Sequence, residues 1–259
     1  MNKRWADGSA GDADYGTIGV QYTSYRRPEP RIAALISDAL GDARTVVNVG
    51  AGAGSYETTD REVTPVEPSA VMRGQRPAHL PVAVDAVAER LPFDDDAFDA
   101  AMTTFSVHQW PDATAGLREM RRVTRGPVLV LTSDPDLVRD FWMYAYAPLV
   151  LDTEARRYPS MAHLADALGG RVDVTRVPIP LDCVDGFNEA YYGRPERLLD
   201  PGARQANSAW SFVDAPKREE YVEALRAALA SGEWDKKYGS LRHQPFYEGS
   251  LVLVRALPQ

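Results

Sequence analysis

Apolar residues along this chain fall into short β-branched runs that alternate with stretches of helical spacing. Val46–Val49 is too short for a free-standing helix and predicts a buried strand. A second strand-like run ends at Glu67 and contains Pro65, which cannot donate to a ladder. Pro81–Asp85, Phe98–Thr104, Pro127–Thr132, Arg171–Ile179 and Glu248–Ala256 read as the remaining strands of a seven-stranded sheet. Between them, Ile32, Leu35, Ile36 and Leu40 share one face of a helix that Pro30 can start and Gly41 can stop. Pro68, Ser69 and Met72 predict a short helix. Asp112 is placed to cap another, whose Leu117, Met120 and Val123 form a face beside Arg118, Arg121, Arg122 and Arg125. Phe141, Trp142, Tyr144 and Tyr146 fall in one expected helix, and a further helix runs near Ser160–Leu168.

Strand and helix alternate as far as Thr132, which argues for a parallel sheet. About 65 residues then separate the last two strands, too many for an unstructured connection in a compact domain. With the amphipathic stretch Lys217–Ala230 they predict a helical cap over about residues 181–243. The first 30 or so residues also lack a place in the repeat and are expected to form an N-terminal lid. Residues 1–259 therefore read as a single α/β domain with a lid and a cap.

Gly50, Gly52 and Gly54 follow the first strand at alternate positions, where glycine permits a sharp turn and close approach to a ligand. Glu67, ending the second strand, can accept hydrogen bonds from a ribose diol. This is the nucleoside-binding half of an α/β fold. A dinucleotide fingerprint needs glycine where Ser55 stands, which weakens a dehydrogenase reading. Farther on comes Ala88-Glu89-Arg90-Leu91-Pro92-Phe93, then the acidic turn Asp94–Asp96 and Phe98-Asp99.

Together these stretches resemble the class I S-adenosylmethionine (SAM)-dependent methyltransferases, of the type 11 small-molecule kind, over at least residues 45–133. The resemblance implies a Rossmann-like seven-stranded sheet, mostly parallel with the last strand antiparallel. It implies SAM as methyl donor and S-adenosylhomocysteine (SAH) as product. Gly50, Ala51, Gly52 and Gly54 would carry the methionine part and Glu67 the ribose, while Val87 and Ala88 would read the adenine. Pro68 and Phe105 would stand beside them. The acid that the family carries falls on Val87 here, with Asp85 two residues upstream, so a contact from Asp85 to adenine stays open.

His108 leaves the carboxyl end of a strand, where open α/β sheets bind ligands, and an imidazole suits proton transfer near neutrality. It is a candidate catalytic residue; the other reading is a buried histidine that orients the loop. Tyr22, Tyr25, Arg26 and Arg27 of the lid, with His108, Trp142, Tyr146 and Tyr191, are the candidate acceptor-binding residues. Arginines at both lids (Arg26, Arg27, Arg31, Arg194, Arg197) among aromatics point to an anionic, partly apolar acceptor. One candidate is a prenyl diphosphate of isoprenoid metabolism such as isopentenyl diphosphate, methylated on carbon, with Mg2+ only in that case. The alternatives are O- or N-methylation of a phenol, amine or carboxylate of secondary metabolism, and a non-catalytic SAM-binding regulatory module.

A net charge of −8 and a pI near 5.1 argue against a general nucleic-acid binder. The single cysteine, Cys183, rules out an intrachain disulfide framework. No apolar run reaches membrane-spanning length and the N-terminus lacks a signal-peptide core, so a cytoplasmic protein is expected. No His/Cys/Asp cluster has transition-metal spacing, so no metal site is expected. The oligomeric state stays open.

Overall fold

A computed structural model describes residues 22–258 of the chain. Its main sheet has six strands in the order β2-β1-β3-β4-β8-β5. These are β1 (Thr45–Val49), β2 (Glu62–Val66), β3 (Ala100–Thr104), β4 (Val128–Ser133), β5 (Arg171–Arg176) and β8 (Leu251–Leu257). β1 pairs in parallel with β2 and β3, and β3 with β4; β8 is inserted antiparallel between β4 and β5. β6 (Ile179–Pro180) and β7 (Phe246–Tyr247) form a separate antiparallel ribbon.

The inner strands β1, β3, β4 and β8 are mostly apolar and buried because both faces of the sheet are covered there, whereas the edge strand β5 is polar and largely exposed. Val46, Met102, Leu129 and Leu131 point into one core, and their neighbours Val47, Ala101, Val128 and Val130 point into the other. The helix Pro30–Leu40 covers the first face with Ile32, Ile36 and Leu40, while Leu35 is exposed. The helices Ala113–Arg122 and Met161–Leu168 cover the second, capped by Asp112 and Ser160.

Three expectations are corrected. Pro81–Asp85 is not a strand: it makes one bridge, Val66 to Val84, outside the edge strand β2, so the main sheet has six strands. Arg171–Ile179 is divided at Pro178 into β5 and β6, which belong to different sheets. Phe141–Tyr146 is not one helix. Two single turns, Val138–Asp140 and Trp142–Ala145, lead into a helix at Pro148–Arg157 that the sequence pattern did not reveal.

Pro65 finds a natural place. Its carbonyl accepts from Val84 on the outer side of β2, and an extended residue directs its N and C=O to the same side. Its missing N–H therefore costs nothing in the β1–β2 ladder. Between β6 and β7 lie several short helical turns and one long helix, Ala215–Ser231, capped by Asp214 and stopped by Gly232. The segment before Pro30 is joined to this part of the chain: Tyr25 OH donates to Asp200, and the carboxylate of Glu29 accepts from the Val184 amide.

Candidate functional site

β1 and β3 are neighbours in the sheet, but the chain leaves β1 toward β2 on its other side, which makes their carboxyl ends a topological switch point. A cavity lies there, walled by the loop after β1, the end of β2 and the loop after β3. Gly50 sits at φ 70°, and a Cβ on it would come within 1.9 Å of Ser106 Oγ. Glycine here lets the two loops close on each other, a constraint that precedes any ligand. Glu67 accepts from the Gly52 amide on one oxygen and from the Ser69 amide on the other, each at 2.8 Å. Its carboxylate forms part of the cavity wall. The amide of Ala88, also in the wall, donates to no described residue. A buried donor without a partner is a place for a ligand acceptor.

Gly50, Ala51, Gly52, Glu67, Pro68, Val87, Ala88 and Phe105 all line this cavity. Gly54 does not; its open side is filled by Leu80. Asp85 is exposed and pairs with Arg73 at 3.2 Å, outside the cavity wall. The sequence reading missed Tyr56, Glu89, Ser106, Gln109 and Trp110, which also line it. Tyr56 and Phe105 are non-glycine residues at φ 64° and 53°, with rings 6.2 Å apart. Such backbone strain persists where surrounding structure enforces it.

A second chamber shares Arg26 and Phe105 with the first. It is covered by the helix Pro148–Arg157 and by residues 187–189 and 206–208, and it includes His108, Ser133, Glu154, Tyr158 and Glu189. Arg26 is buried, bonded to Asp185 at 2.6 Å, with its guanidinium 4.7 Å over the Phe105 ring. Glu154 accepts from Asn188 Nδ2 at 2.7 Å, and Glu189 accepts from the Ser250 amide at 2.9 and 3.0 Å. Burial, aided by the charge of Glu189, pushes Glu154 up to about 7. Burial also pushes Glu189 up to about 7.

His108 lines the second chamber and not the first. Its protonation is fixed by a relay. Arg157 Nη2 donates to Gln109 Oε1 at 2.7 Å, which orients the amide, and Gln109 Nε2 then donates to His108 Nε2 at 2.8 Å and to Ser208 Oγ at 3.2 Å. With Nε2 accepting, the neutral ring carries its proton on Nδ1, which is buried without a partner. Burial first, then Arg157 and Arg26, holds the imidazole well below its ordinary pKa. His108 is thus arranged to donate from Nδ1; acting as a base would require Gln109 to move away.

The other acceptor candidates are elsewhere. The side chain of Tyr22 lies outside the described residues. Tyr25 packs against Gly202 and bonds Asp200; Arg27 is exposed. Trp142 is core, its Nε1 donating to the Tyr192 carbonyl and its ring packed on Trp234, and Tyr146 packs against Trp142. Tyr191 is buried beneath Arg194. None of Tyr25, Arg27, Trp142, Tyr146 and Tyr191 lines either chamber. Of the other arginines, Arg31 pairs with Glu29 and Asp182, Arg194 donates to the Cys183 and Ala190 carbonyls, and Arg197 is exposed. Among the described residues no group of three or more His, Cys, Asp or Glu could hold a metal, and no helix is long and apolar enough to cross a membrane.

Residues 47–130 match the family model Methyltransf_11, described as a methyltransferase domain. A crystal structure from Anabaena variabilis, of a protein assigned as a methyltransferase of an antibiotic biosynthesis pathway, superposes with a TM-score of 0.82 at 28% identity, covering 89% of this chain and 98% of the other. Uncharacterized protein YafE of Escherichia coli K12 is 38% identical over 77 residues, 28% of this chain and 37% of that protein. The ubiquinone/menaquinone biosynthesis C-methyltransferase UbiE of Hahella chejuensis is 35% identical over 88 residues, 29% of this chain and 35% of that protein. The chain spans 37% or less of the length of the curated relatives it matches.

Proposed function

From a chain that carries a methyltransferase domain over residues 47–130 within a class I SAM-dependent methyltransferase fold, we propose that the protein methylates a small molecule held in the second chamber. The observation that carries this reading is the shared wall. A nucleoside-sized cavity and an enclosed polar chamber meet at Arg26 and Phe105, so a donor in one can face an acceptor in the other.

SAM fits the first cavity: Glu67 would take the ribose hydroxyls, the Ala88 amide an adenine nitrogen, and Gly50–Gly52 the methionine part. When bound, SAM supplies an electrophilic methyl group, whose carbon bonds to the acceptor's lone pair as the C–S electron pair returns to sulfur, leaving SAH. The residues of this chain orient and enclose. Phe105 puts an aromatic ring at the boundary with the Arg26 guanidinium over its face, so the two side chains together form the wall between donor and acceptor. The helix Pro148–Arg157 and residues 187–208 exclude water and fix the acceptor, which is the main contribution a displacement reaction needs. A proton released by a hydroxyl or amine acceptor would need a base other than His108, whose Nε2 lone pair is committed to Gln109.

The relative named as a ubiquinone/menaquinone biosynthesis C-methyltransferase keeps carbon methylation open for this chain. The diphosphate acceptor loses its support, because Arg26, Arg31 and Arg194 are engaged within the protein. We place the acceptor among neutral or basic compounds of secondary metabolism. An enclosed second chamber also favours an enzyme over a regulatory SAM-binding module, which needs none. Incubation with methyl-tritiated SAM and a panel of phenols, amines, carboxylic acids and prenyl diphosphates tests this. Label is expected in a phenol or amine; label only in a diphosphate, or SAM binding with no transfer at all, would overturn it.

A further inference from the structure

Methyl transfer does not by itself call for two carboxyls in the acceptor chamber. Glu154 comes from the helix Pro148–Arg157 and Glu189 from the turn Asn188–Tyr191, and both line the same enclosed space. Glu189 has a structural task, since both its oxygens accept from the Ser250 amide at the entry to β8. Glu154 is held on one side only. Asn188 donates to Oε1, and no described residue donates to Oε2. Two cations lie within electrostatic reach of Glu154 without bonding it: Arg26 is paired with Asp185, and Arg157 donates to the neutral Gln109 and Ser208. His108, in the same lining, brings the opposite deficiency, a buried Nδ1–H with no acceptor. The imidazole donor is a buried group of the kind that folded proteins normally satisfy, and the Glu154 carboxyl in the same lining has one oxygen to which no described residue donates.

We infer that the chamber takes an acceptor bearing a basic nitrogen, bound as an ammonium against Glu154 with Glu189 behind it, while His108 donates to an oxygen of the same molecule. This rests on reading the second chamber as the acceptor site. An ammonium brings three donors and a positive charge to two carboxyls that pair directly with no described cation. An alcohol brings donors without charge, and a carboxylate or diphosphate adds like-charge repulsion. The same carboxyls, raised to about 7 when the chamber is empty, lose protons when a cation enters. An ammonium has no lone pair, so the nitrogen held by Glu154 is not the methylated atom. The nucleophile lies at the other end of the molecule, toward Phe105 and Arg26.

Calorimetry on the SAH-loaded protein with tyramine, 4-hydroxyphenethyl alcohol and 4-hydroxyphenylacetate isolates the terminal group on a constant ring. Tyramine is expected to bind at least about tenfold tighter than the alcohol, as charge-assisted bonds exceed neutral ones, and the acid more weakly than either. At pH 7, heats measured in buffers of different ionisation enthalpy should show proton release with tyramine and none with the alcohol. Glu154→Gln should abolish the amine preference without changing SAH affinity, and Glu154→Asp should retain it. Parity of the three compounds, absence of tyramine binding, or an undiminished preference in a folded Glu154→Gln protein would overturn the inference. Methyl transfer is read separately. Transfer without amine preference defeats only this inference, whereas amine preference without transfer to any acceptor defeats the functional reading.

Discussion

Arg26 and Asp185 meet at 2.6 Å across 159 residues of sequence, both buried. Tyr56 OH donates to the other Asp185 oxygen at 2.8 Å, so one carboxylate joins the segment before Pro30, the glycine loop and the chain that follows β6. Because the same guanidinium covers Phe105, the pair also sets the wall between the two chambers.

Removing one partner of such a pair strands a buried charge. Asp185→Ala should lower unfolding free energy by about 3–5 kcal/mol, and Arg26→Met in the same background should restore part of it. Urea denaturation of the two single variants and the double variant measures the coupling. Simple additivity would mean that the two side chains do not act as a pair.

Glu67 is expected to hold the ribose while also tethering the glycine loop through the Gly52 amide. Glu67→Ala should weaken SAH binding at least tenfold, about 1.4 kcal/mol. Calorimetry on a variant with an unchanged melting temperature decides it; an unaltered affinity would remove Glu67 from the site.

Local features were legible where the chain itself supplies both partners. The glycine turn, the strand pair ending at Glu67 and the Ala88–Asp99 stretch lie close in sequence, and the cavity between them follows. The expected strand at Pro81–Asp85 shrank to a bridge because nothing beyond β2 extends the sheet. Trp142 and Tyr146 are candidates for the acceptor pocket only because four aromatics are more than a covering helix needs, and an aromatic run carries no mark of which face it turns inward; Trp142 lies in the core and the partly buried Tyr146 packs against it. Arg26 was singled out for a ligand, whereas much of its charge is spent on Asp185, a partner no local pattern reveals. Glu154 was missed for the same reason: it is one carboxylate on an unrecognised helix until folding sets it in a chamber with Glu189 and His108.

The raised carboxyls give a signed pH dependence. Glu154 and Glu189, near 7 in the folded chain against an ordinary 4.5, keep protons that the unfolded chain has released. Their contribution therefore falls as pH rises from about 4.5 through 7, and levels off above. His108 acts in the opposite sense, its contribution growing as pH rises toward its ordinary 6.5. The clean quantity is the stability of the parent protein minus that of Glu154→Gln. It should decline by up to about 1.4 kcal/mol per pH unit between pH 5 and 6.5. Urea melts across pH 5–8 would show it, and a difference independent of pH would contradict the raised carboxyl.

The Arg157–Gln109–His108 relay is open to nitrogen NMR. His108 should show a protonated Nδ1, an unprotonated Nε2 and no titration near pH 6.5, while Gln109→Leu should release the tautomer. A protonated Nε2 in the parent protein would reverse the assignment.

The most direct measurement is a crystal structure with SAH. The account places the ribose at Glu67, the adenine at the Ala88 amide, and the sulfur facing the Arg26–Phe105 wall and the chamber beyond. SAH bound with its sulfur turned away from that wall, or bound outside the cavity of Gly50, Glu67 and Ala88, would contradict it.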